Sequence, residues 1–305
     1  MTNITASLVK ELRDKTGAGM MDCKNALNEN NGDIESSIDW LRTKGLAKAA
    51  KKSGRTASEG LIVITSSSDY TSIVEINSET DFVARNEIFQ EVARNIGNSS
   101  LFSDDIDSLY NLNISEKDIS VKDYITEMIA SIGENINLRR MTRLNASDEN
   151  IYSYLHGQVS DGLGKIGVLV SLKSNLDKDS LDDIGKKIAM HIAATNPISI
   201  SIDDIPSNIL EREKNILIEE ARDSGKPEEI IEKMIIGRLK KYYQESVLLE
   251  QTFVIDGESK VSEILNSLDS PIEITNFVRF ELGEGIEKSN EEDFASEVDS
   301  MISGN

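Results

Sequence analysis

The sequence predicts an α+β fold with a helical module at its N-terminal end and a helical hairpin in its second half. Residues 1–54 carry apolar side chains at helical spacing. Residues 55–282 mix short strand-like apolar runs with amphipathic helical stretches. Between about 206 and 250, two apolar helical stripes flank a Gly-Lys-Pro break. These three patterns place the chain in the α+β class.

The N-terminal module is predicted to begin with a helix capped by Thr5. Leu8 and Leu12 lie on one face of that helix, and Gly17 and Gly19 end it. Three short helices bury little surface by themselves, so a module of this size is only marginally stable alone.

Two further helices complete the module. One runs from Met20 to about residue 27, and the other starts after Gly32. The third helix carries Ile34, Ile38 and Leu41 at helical spacing and is predicted to end at Gly45. Residues 48–57 are predicted to be a linker.

The remainder of the chain is predicted to contain both strands and helices. Strand-like runs occur at 61–65, 72–76, 138–144, 166–172 and 277–282. Helical patterns occur at about 86–97, 121–133 and 181–194.

A weak internal similarity is visible in this part of the chain. Strand runs precede a helix and a closing Arg-bearing strand twice, once ending at Arg139-Arg140 and once at residues 277–280. Two related α+β subdomains explain this echo, and chance similarity of short elements is the alternative.

The segment 206–250 is predicted to be an antiparallel helical hairpin. Ile209, Ile216 and Leu217 form one stripe, and a second stripe follows the break at Gly225-Lys226-Pro227. An ordinary packed helix pair is the alternative.

Composition restricts the partners of this chain. Its 54 Asp and Glu residues against 33 Lys and Arg give a net charge of −21, which repels phosphate backbones and argues against nucleic-acid binding. The single cysteine, Cys23, excludes an intrachain disulfide and suits a reducing cytosol. No apolar run approaches the ~18 residues of a membrane span, and no secretory signal pattern is present. We therefore expect a cytoplasmic protein that does not bind membranes.

The sequence offers little catalytic chemistry. Of its two histidines, His191 lies in a helical run and is predicted to be structural, whereas His156 lies in a predicted polar loop. Asp161-Gly162-Leu163-Gly164-Lys165 lacks the spacing of a phosphate loop and is predicted to be a hairpin turn. A hydrolase with paired carboxylates has little support, because 54 acidic residues make chance pairs abundant. We expect no catalytic residue, no metal, no cofactor and no enzymatic activity.

The segment Thr80-Asp81-Phe82-Val83-Ala84-Arg85-Asn86 is the strongest candidate for a contact site. It follows a strand run and is predicted to be a strand-to-helix junction, which can hold Asp81 and Phe82 outward on a rigid support. The pattern also places Phe82 near one helical face with Phe89, so a helix cap with a core aromatic is the alternative.

Several motifs occur in order along the chain. They are Ile4 to Arg13, Thr16 to Lys24, Thr80 to Asn86, Ile132 to Arg140, Ile188 to Ala194, Ser224 to Pro227 and Gly283 to Lys288. This series resembles the elongation factor Ts family, the nucleotide exchange factors of the GTPase elongation factor Tu.

The resemblance implies a more detailed architecture. Its parts are a UBA-like three-helix module (1–54), a core N-subdomain (55–145), a core C-subdomain (146–282) with a coiled-coil hairpin inserted at about 206–250, and a small C-terminal helical module (283–305). Both subdomains would contain antiparallel sheets. The hairpin would protrude and could serve self-association, and the C-terminal module would touch the GTPase.

The resemblance also implies a function and its contact residues. The protein would bind elongation factor Tu with GDP, disturb the Mg²⁺ and phosphate site, and promote GDP release. Phe82 would wedge between helices of the GTPase, and Asp81 would add a carboxylate near the Mg²⁺ region that competes for partner groups. Thr80 and Val83 would bind the partner as well. The N-terminal module would dock through Arg13, Met20 and Met21, and His156 would touch the partner.

Two alternatives remain at this point. Met20 and Met21 could instead lie in the core of the helical module. The whole chain could be a non-catalytic UBA-like adaptor or scaffold, which would bind helical partners without accelerating nucleotide release.

Overall fold

The computed structural model describes residues 4–16, 18–114, 118–146, 149–223 and 227–287. Three sequence predictions concern residues outside these ranges: the helix stop at Gly17, the Gly225-Lys226 part of the hairpin break, and residues 288–305 of the C-terminal module.

The described residues form eleven α-helices and seven strands. The helices are α1 (Ala6–Thr16), α2 (Met20–Glu29), α3 (Ile34–Lys52), α4 (Asp81–Ala84), α5 (Glu87–Ser100), α6 (Ile106–Asn111), α7 (Val121–Ile132), α8 (Lys178–Thr195), α9 (Ser207–Asp223), α10 (Glu228–Ser246) and α11 (Val261–Asn266). The strands are β1 (Glu59–Ser66), β2 (Tyr70–Ser78), β3 (Asn137–Asn145), β4 (Asn150–His156), β5 (Leu163–Gly164), β6 (Ile166–Ser174) and β7 (Ile272–Glu281).

Helices α1 to α3 pack around a small apolar cluster of their own. Its buried members are Val9, Leu12, Cys23, Ala26 and Leu27. The predicted Thr5 cap is confirmed, since the Leu8 N–H donates to Thr5 Oγ1 at 3.3 Å. Asp33 caps α3 by accepting from the Ser36 N–H at 2.8 Å.

The predicted end of the third helix at Gly45 is wrong. Helix α3 continues to Lys52, so the first five residues of the predicted linker are helical. Gly45 is buried, and a Cβ at this position would lie 3.3 Å from Cβ of Ala130 on α7. The glycine lets α3 and α7 approach closely, and this packing offsets its cost of about 1 kcal/mol in a helix interior.

The first sheet is antiparallel, with strand order β3-β2-β1-β5. Helices α5 and α7 cover one face of it and enclose the largest apolar cluster, which includes Phe89, Ile96, Tyr124 and Leu138. Thus the predicted helices near 86–97 and 121–133 are confirmed, and their apolar faces bury the sheet.

The second sheet is also antiparallel, with order β4-β6-β7, and α8 packs on it. Strand β4 was not predicted, and it ends at His156, so the expectation that His156 lies in a loop is wrong. The turn predicted at residues 161–165 is confirmed for Asp161 and Gly162, where Gly162 has φ +71°. It is wrong for Leu163 and Gly164, which form strand β5.

The two sheets meet through a cluster of five buried side chains: Ile62, Ile73, Leu144, Leu169 and Phe280. Gly167 on β6 makes this approach possible, since a Cβ there would lie 2.6 Å from Ile62 and 2.7 Å from Ile73. Strand β5 comes from the predicted C-subdomain yet pairs with β1 of the first sheet. The subdomain bounds and the relatedness of the halves stay predictions.

Helices α9 and α10 pack against each other. Leu217, Ala221 and Ile231 are buried, and Arg238 pairs with Glu220 at 2.7 Å between the helices. The coiled-coil character of this pair stays a prediction. Within the described ranges, no helix has the length and apolar character needed to cross a membrane.

Candidate functional site

The contact segment forms a one-turn helix, α4, between β2 and α5. Phe82, its second residue, is 78% exposed. The alternative of a core aromatic is therefore wrong for Phe82. An aromatic ring this exposed costs solvation free energy unless a partner covers it.

Asn86 explains why Phe82 points away from the core. Its side chain accepts from the Ile88 N–H at 2.8 Å and starts α5 as a new helix. Helical periodicity does not carry across this break, so Phe89 is fully buried while Phe82 is not. The expectation that Phe82 and Phe89 share one helical face is wrong for this reason.

Val83 and Ala84 fasten α4 to the body of the protein, whereas Asp81 bonds within the turn. Ala84 is buried, and Val83 is partly buried against the large apolar cluster. Asp81 accepts from Arg85 at 3.0 Å within the same turn. This pair is largely exposed, so it contributes only about 0–1 kcal/mol and the Asp81 carboxylate is easily transferred to another cation.

Thr80 is held by a residue to which sequence reasoning gave no role. Glu134 follows α7 and accepts from both the hydroxyl and the N–H of Thr80. Sequence reasoning also missed Ile88, which is 51% exposed on the first turn of α5. Local pattern carries no signal for either, because the Glu134 contact spans 54 positions and the exposure of Ile88 follows from the Asn86 cap.

The N-terminal candidates lie on the surface of the helical module. Met20 and Met21 are 57% and 65% exposed on the first turn of α2, and Arg13 is exposed on α1. The alternative of a core position for the two methionines is wrong. Cys23, one turn further on, is the buried residue, and burial raises the pKa of its thiol.

His156 lies at the second sheet, on a different element from α4 and α2. It is exposed, and its Nδ1 lies 3.3 Å from Oη of Tyr154. A cleft of about 300 Å³ adjoins it, lined by Ser58, Glu59, Lys165, Ile166, Glu281 and Leu282 as well. The predicted contact residues therefore lie at four separate elements, α1, α2, α4 and β4, with Thr80 to Val83 contiguous.

His191 is a core residue, as predicted. It is fully buried, its Nε2 lies 2.9 Å from Oε1 of Gln251, and its Nδ1 accepts from the Val254 N–H at 3.3 Å. Burial lowers the pKa of the ring, against the opposing effect of Gln251. His191 is therefore a neutral structural side chain that connects α8 to the segment before α11.

A larger cleft, of about 410 Å³, lies between the N-terminal module and α7. Trp40, Leu41, Ile119 and Ala130 contribute to its walls. Arg13, Met20 and Met21 do not line it. Among the described residues, no group of His, Cys, Asp and Glu side chains is arranged to hold a metal ion.

Comparisons with known proteins match the chain over its length. The family model described as elongation factor TS matches residues 79–284. A protein named elongation factor Ts from Allorhizobium ampelinum is 53% identical over 309 residues, and all of both chains is covered. A protein of the same name from Parvibaculum lavamentivorans is 52% identical, and all of both chains is covered. Another from Methylobacterium radiotolerans is also 52% identical, and 98% of each chain is covered.

The α+β fold with antiparallel sheets and these matches together define a translation elongation factor. The chain belongs to the elongation factor Ts family.

Proposed function

We propose that this protein binds elongation factor Tu and accelerates release of its GDP, so that GTP can rebind during translation elongation. The observation that carries the proposal is Phe82, an aromatic side chain 78% exposed on a one-turn helix that Val83 and Ala84 anchor to the apolar core. Family membership supplies the partner.

The mechanism requires no covalent step. A GTPase holds GDP through backbone amides, a lysine and Mg²⁺. An exchange factor binds the empty GTPase more tightly than the loaded one, and linkage makes the effect reciprocal. Insertion of Phe82 between helices of the GTPase would displace the elements that hold Mg²⁺ and phosphate. We therefore propose a binding factor rather than an enzyme.

The free energy that burial of Phe82 can supply is smaller than the coupling free energy that exchange requires. A 1,000-fold decrease in GDP affinity needs roughly 4 kcal/mol of coupling. Burial of one Phe side chain yields about 1.5–3 kcal/mol. Phe82 would thus supply a large share, and other contacts must supply the rest.

The remaining contacts are proposed from exposure and chemistry. Met20 and Met21 present flexible, polarisable side chains beside the cation of Arg13, which suits docking on a helix of the partner. Asp81 would exchange Arg85 for a group near the Mg²⁺ site. Thr80 and Val83 would hold the turn, and His156 would touch the partner from the second sheet.

Two further proposals follow from family membership. The protein would act in the cytoplasm, where translation takes place. The α9–α10 pair would serve self-association, because Ile209, Ile216, Ile230 and Ile236 are between 41% and 69% exposed.

Release of a fluorescent GDP analogue from elongation factor Tu, followed by stopped flow with and without this protein, tests the proposal. We expect acceleration that saturates with protein concentration. Binding without acceleration would instead support the adaptor alternative, and absence of both would overturn the proposed partner.

A further inference from the structure

Four residues form a reciprocal set of hydrogen bonds under the α4 turn. Glu134 accepts from Thr80 twice, at 2.6 Å from Oγ1 and at 3.0 Å from N. In the opposite direction, the Asn135 N–H donates to Oε1 of Glu79 at 2.6 Å. We call Glu79, Thr80, Glu134 and Asn135 the clamp. Both carboxylates use charge-assisted hydrogen bonds, which are the stronger kind.

The end of α7 positions one half of the clamp. Gly133 caps the helix with φ +87°, a left-handed conformation that favours glycine, and its N–H bonds to the Ile129 carbonyl. The chain therefore leaves the helix axis immediately, and Glu134 and Asn135 reach the residues that precede α4. A longer α7 would carry them away from Thr80.

Residues at and just after the end of α3 also contact the clamp or the adjacent Gly133. Arg55 pairs with Glu79 at 3.3 Å, and its carbonyl accepts from Nδ2 of Asn135 at 2.8 Å. Lys52 donates to the Gly133 carbonyl. Since α3 belongs to the N-terminal module, the exposed Met20-Met21 surface and the Phe82 turn share one support.

Helix α4 needs this support because it cannot hold itself. Its four residues form a single turn, which is unfavourable alone owing to the cost of helix nucleation. Thr80 occupies the N-cap position but makes no side-chain cap bond. A threonine at this position normally accepts a hydrogen bond from the first turn. Here its hydroxyl donates to Glu134 instead, so a residue outside the turn holds α4 in place and keeps its single turn folded.

We propose that Glu134 is a positioning residue for Phe82. Through its two hydrogen bonds to Thr80, Glu134 fixes the orientation of the α4 turn, so that the Phe82 ring enters the partner at a fixed angle. The inference rests on the proposed exchange function for its kinetic part. It deepens that function by adding a residue that does not itself touch the GTPase.

The kinetic test is a double-mutant cycle between Glu134→Ala and Phe82→Ala, read as the maximal rate of GDP release from elongation factor Tu at saturating protein. Glu134→Ala should slow release at least about tenfold, because it removes both charge-assisted hydrogen bonds to Thr80 that orient the wedge. In the Phe82→Ala background it should add less than about twofold. Glu134→Gln, which keeps one oxygen acceptor, should recover part of the rate.

Two further variants distinguish a positioning role of Glu134 from a general loss of stability. Asp123→Asn removes an ion pair to Arg42 between α7 and α3 without touching α4, and it should leave the release rate unchanged. Thr80→Val removes the hydroxyl but keeps the backbone N–H that donates to Glu134, so it should reproduce part of the slowing seen for Glu134→Ala. Independent, multiplicative effects of Glu134→Ala and Phe82→Ala would overturn the proposal, as would a wild-type rate for Glu134→Ala.

Hydrogen exchange gives a readout that does not depend on the GTPase. The N–H groups of Arg85 and Asn86 bond within the α4 turn, and Glu134→Ala should raise their exchange rates about tenfold. Unchanged protection would overturn the positioning role even if the protein proved not to act on elongation factor Tu. Faster exchange together with no wild-type acceleration of GDP release would overturn only the proposed function.

Discussion

The carboxylate of Glu75, fully buried in β2, accepts a 2.6 Å hydrogen bond from Nε of Arg140 on β3. Arg139 reaches the same carboxylate at 3.0 Å, although neighbours on a strand normally point to opposite faces. A β-bulge in the β2–β3 pairing leaves Arg139 as the extra residue and turns both arginines toward Glu75. The Gly283 N–H, just beyond β7, donates to the carboxylate at 2.9 Å. One acidic side chain thus joins the first sheet to the end of the last strand.

We expect Glu75→Gln to lower the free energy of unfolding by about 3 kcal/mol at pH 7, because two partly buried arginines lose their charge partner. Burial acts to raise the pKa of Glu75, but the hydrogen bonds from Gly283, Asn77 and the two arginines hold it below its ordinary value. The stabilisation is therefore complete above the unfolded pKa of about 4.3 and is lost as pH falls through the lower folded pKa.

Urea unfolding at pH 7 and at pH 3 measures this difference, which should shrink at the lower pH. Glu273→Gln, at an exposed glutamate on β7, is the matched control and should change stability by less than about 0.5 kcal/mol. If Glu75→Gln is as mild as this control at pH 7, the Glu75 network does not stabilise the fold.

Substitution of three phenylalanines distinguishes side chains that contact the partner from side chains that pack in the core. Phe82→Ala should keep the thermal midpoint and slow GDP release about 10- to 100-fold, the equivalent of losing one buried Phe. Phe102 is equally exposed, at 76%, and Phe102→Ala should change neither property. Phe89→Ala should cost about 3–5 kcal/mol of stability, because this ring is fully buried. A large stability loss for Phe82→Ala with normal exchange per folded molecule would refute the wedge.

His191 should make stability depend on pH near neutrality. Burial lowers the pKa of its ring in the folded protein, so the unfolded chain binds the proton more readily. The free energy of unfolding should decrease as pH falls below about 6.5, the ordinary value, toward the lower folded pKa. His191→Gln should remove this part of the decrease. NMR titration of the ring gives a direct check, and a folded pKa at or above that of the urea-unfolded chain would contradict the account.

Deletion of residues 1–54 should weaken binding to the GTPase and leave the remaining α+β body folded. The cut removes Arg13, Met20 and Met21 but also uncovers the face of α7 that packs on α3, so some stability should be lost. Met20→Ala with Met21→Ala in the full chain is the control that changes only the surface. Loss of the cooperative transition in the truncated protein would show that the module is not separable.

Replacement of residues 209–243 by a short Gly/Ser loop should preserve GDP release. The side chains buried in this pair, Leu217, Ala221 and Ile231, lie within the replaced segment, and the isolated bridge from Ser199 to Val247 remains outside it. Sedimentation velocity should show weaker self-association of the loop variant. A folded variant that binds the GTPase yet has lost exchange would place the helix pair in the active surface.

The sequence by itself determined the element types and the family. Apolar periods of 2 and 3.6 residues are local properties, so the β1, β2, β3 and β6 runs and helices α5, α7 and α8 were predicted correctly apart from their ends. The ordered motifs identified the family, which the comparisons confirm. Strand β4 was not predicted, because Ser153 interrupts its apolar residues and the strand ends in a histidine.

Tertiary structure decided where the functional side chains point. The Asn86 cap starts a new helix and turns Phe82 outward. The apolar spacing in the sequence does not reveal this break, so it predicts one continuous helical face that includes Phe82. Packing of Gly45 against Ala130 extends α3 beyond the residue at which its propensity favours a stop. The Thr80–Glu134 bond joins residues 54 positions apart, and such contacts are set by the whole fold because local sequence fixes only the period and the caps.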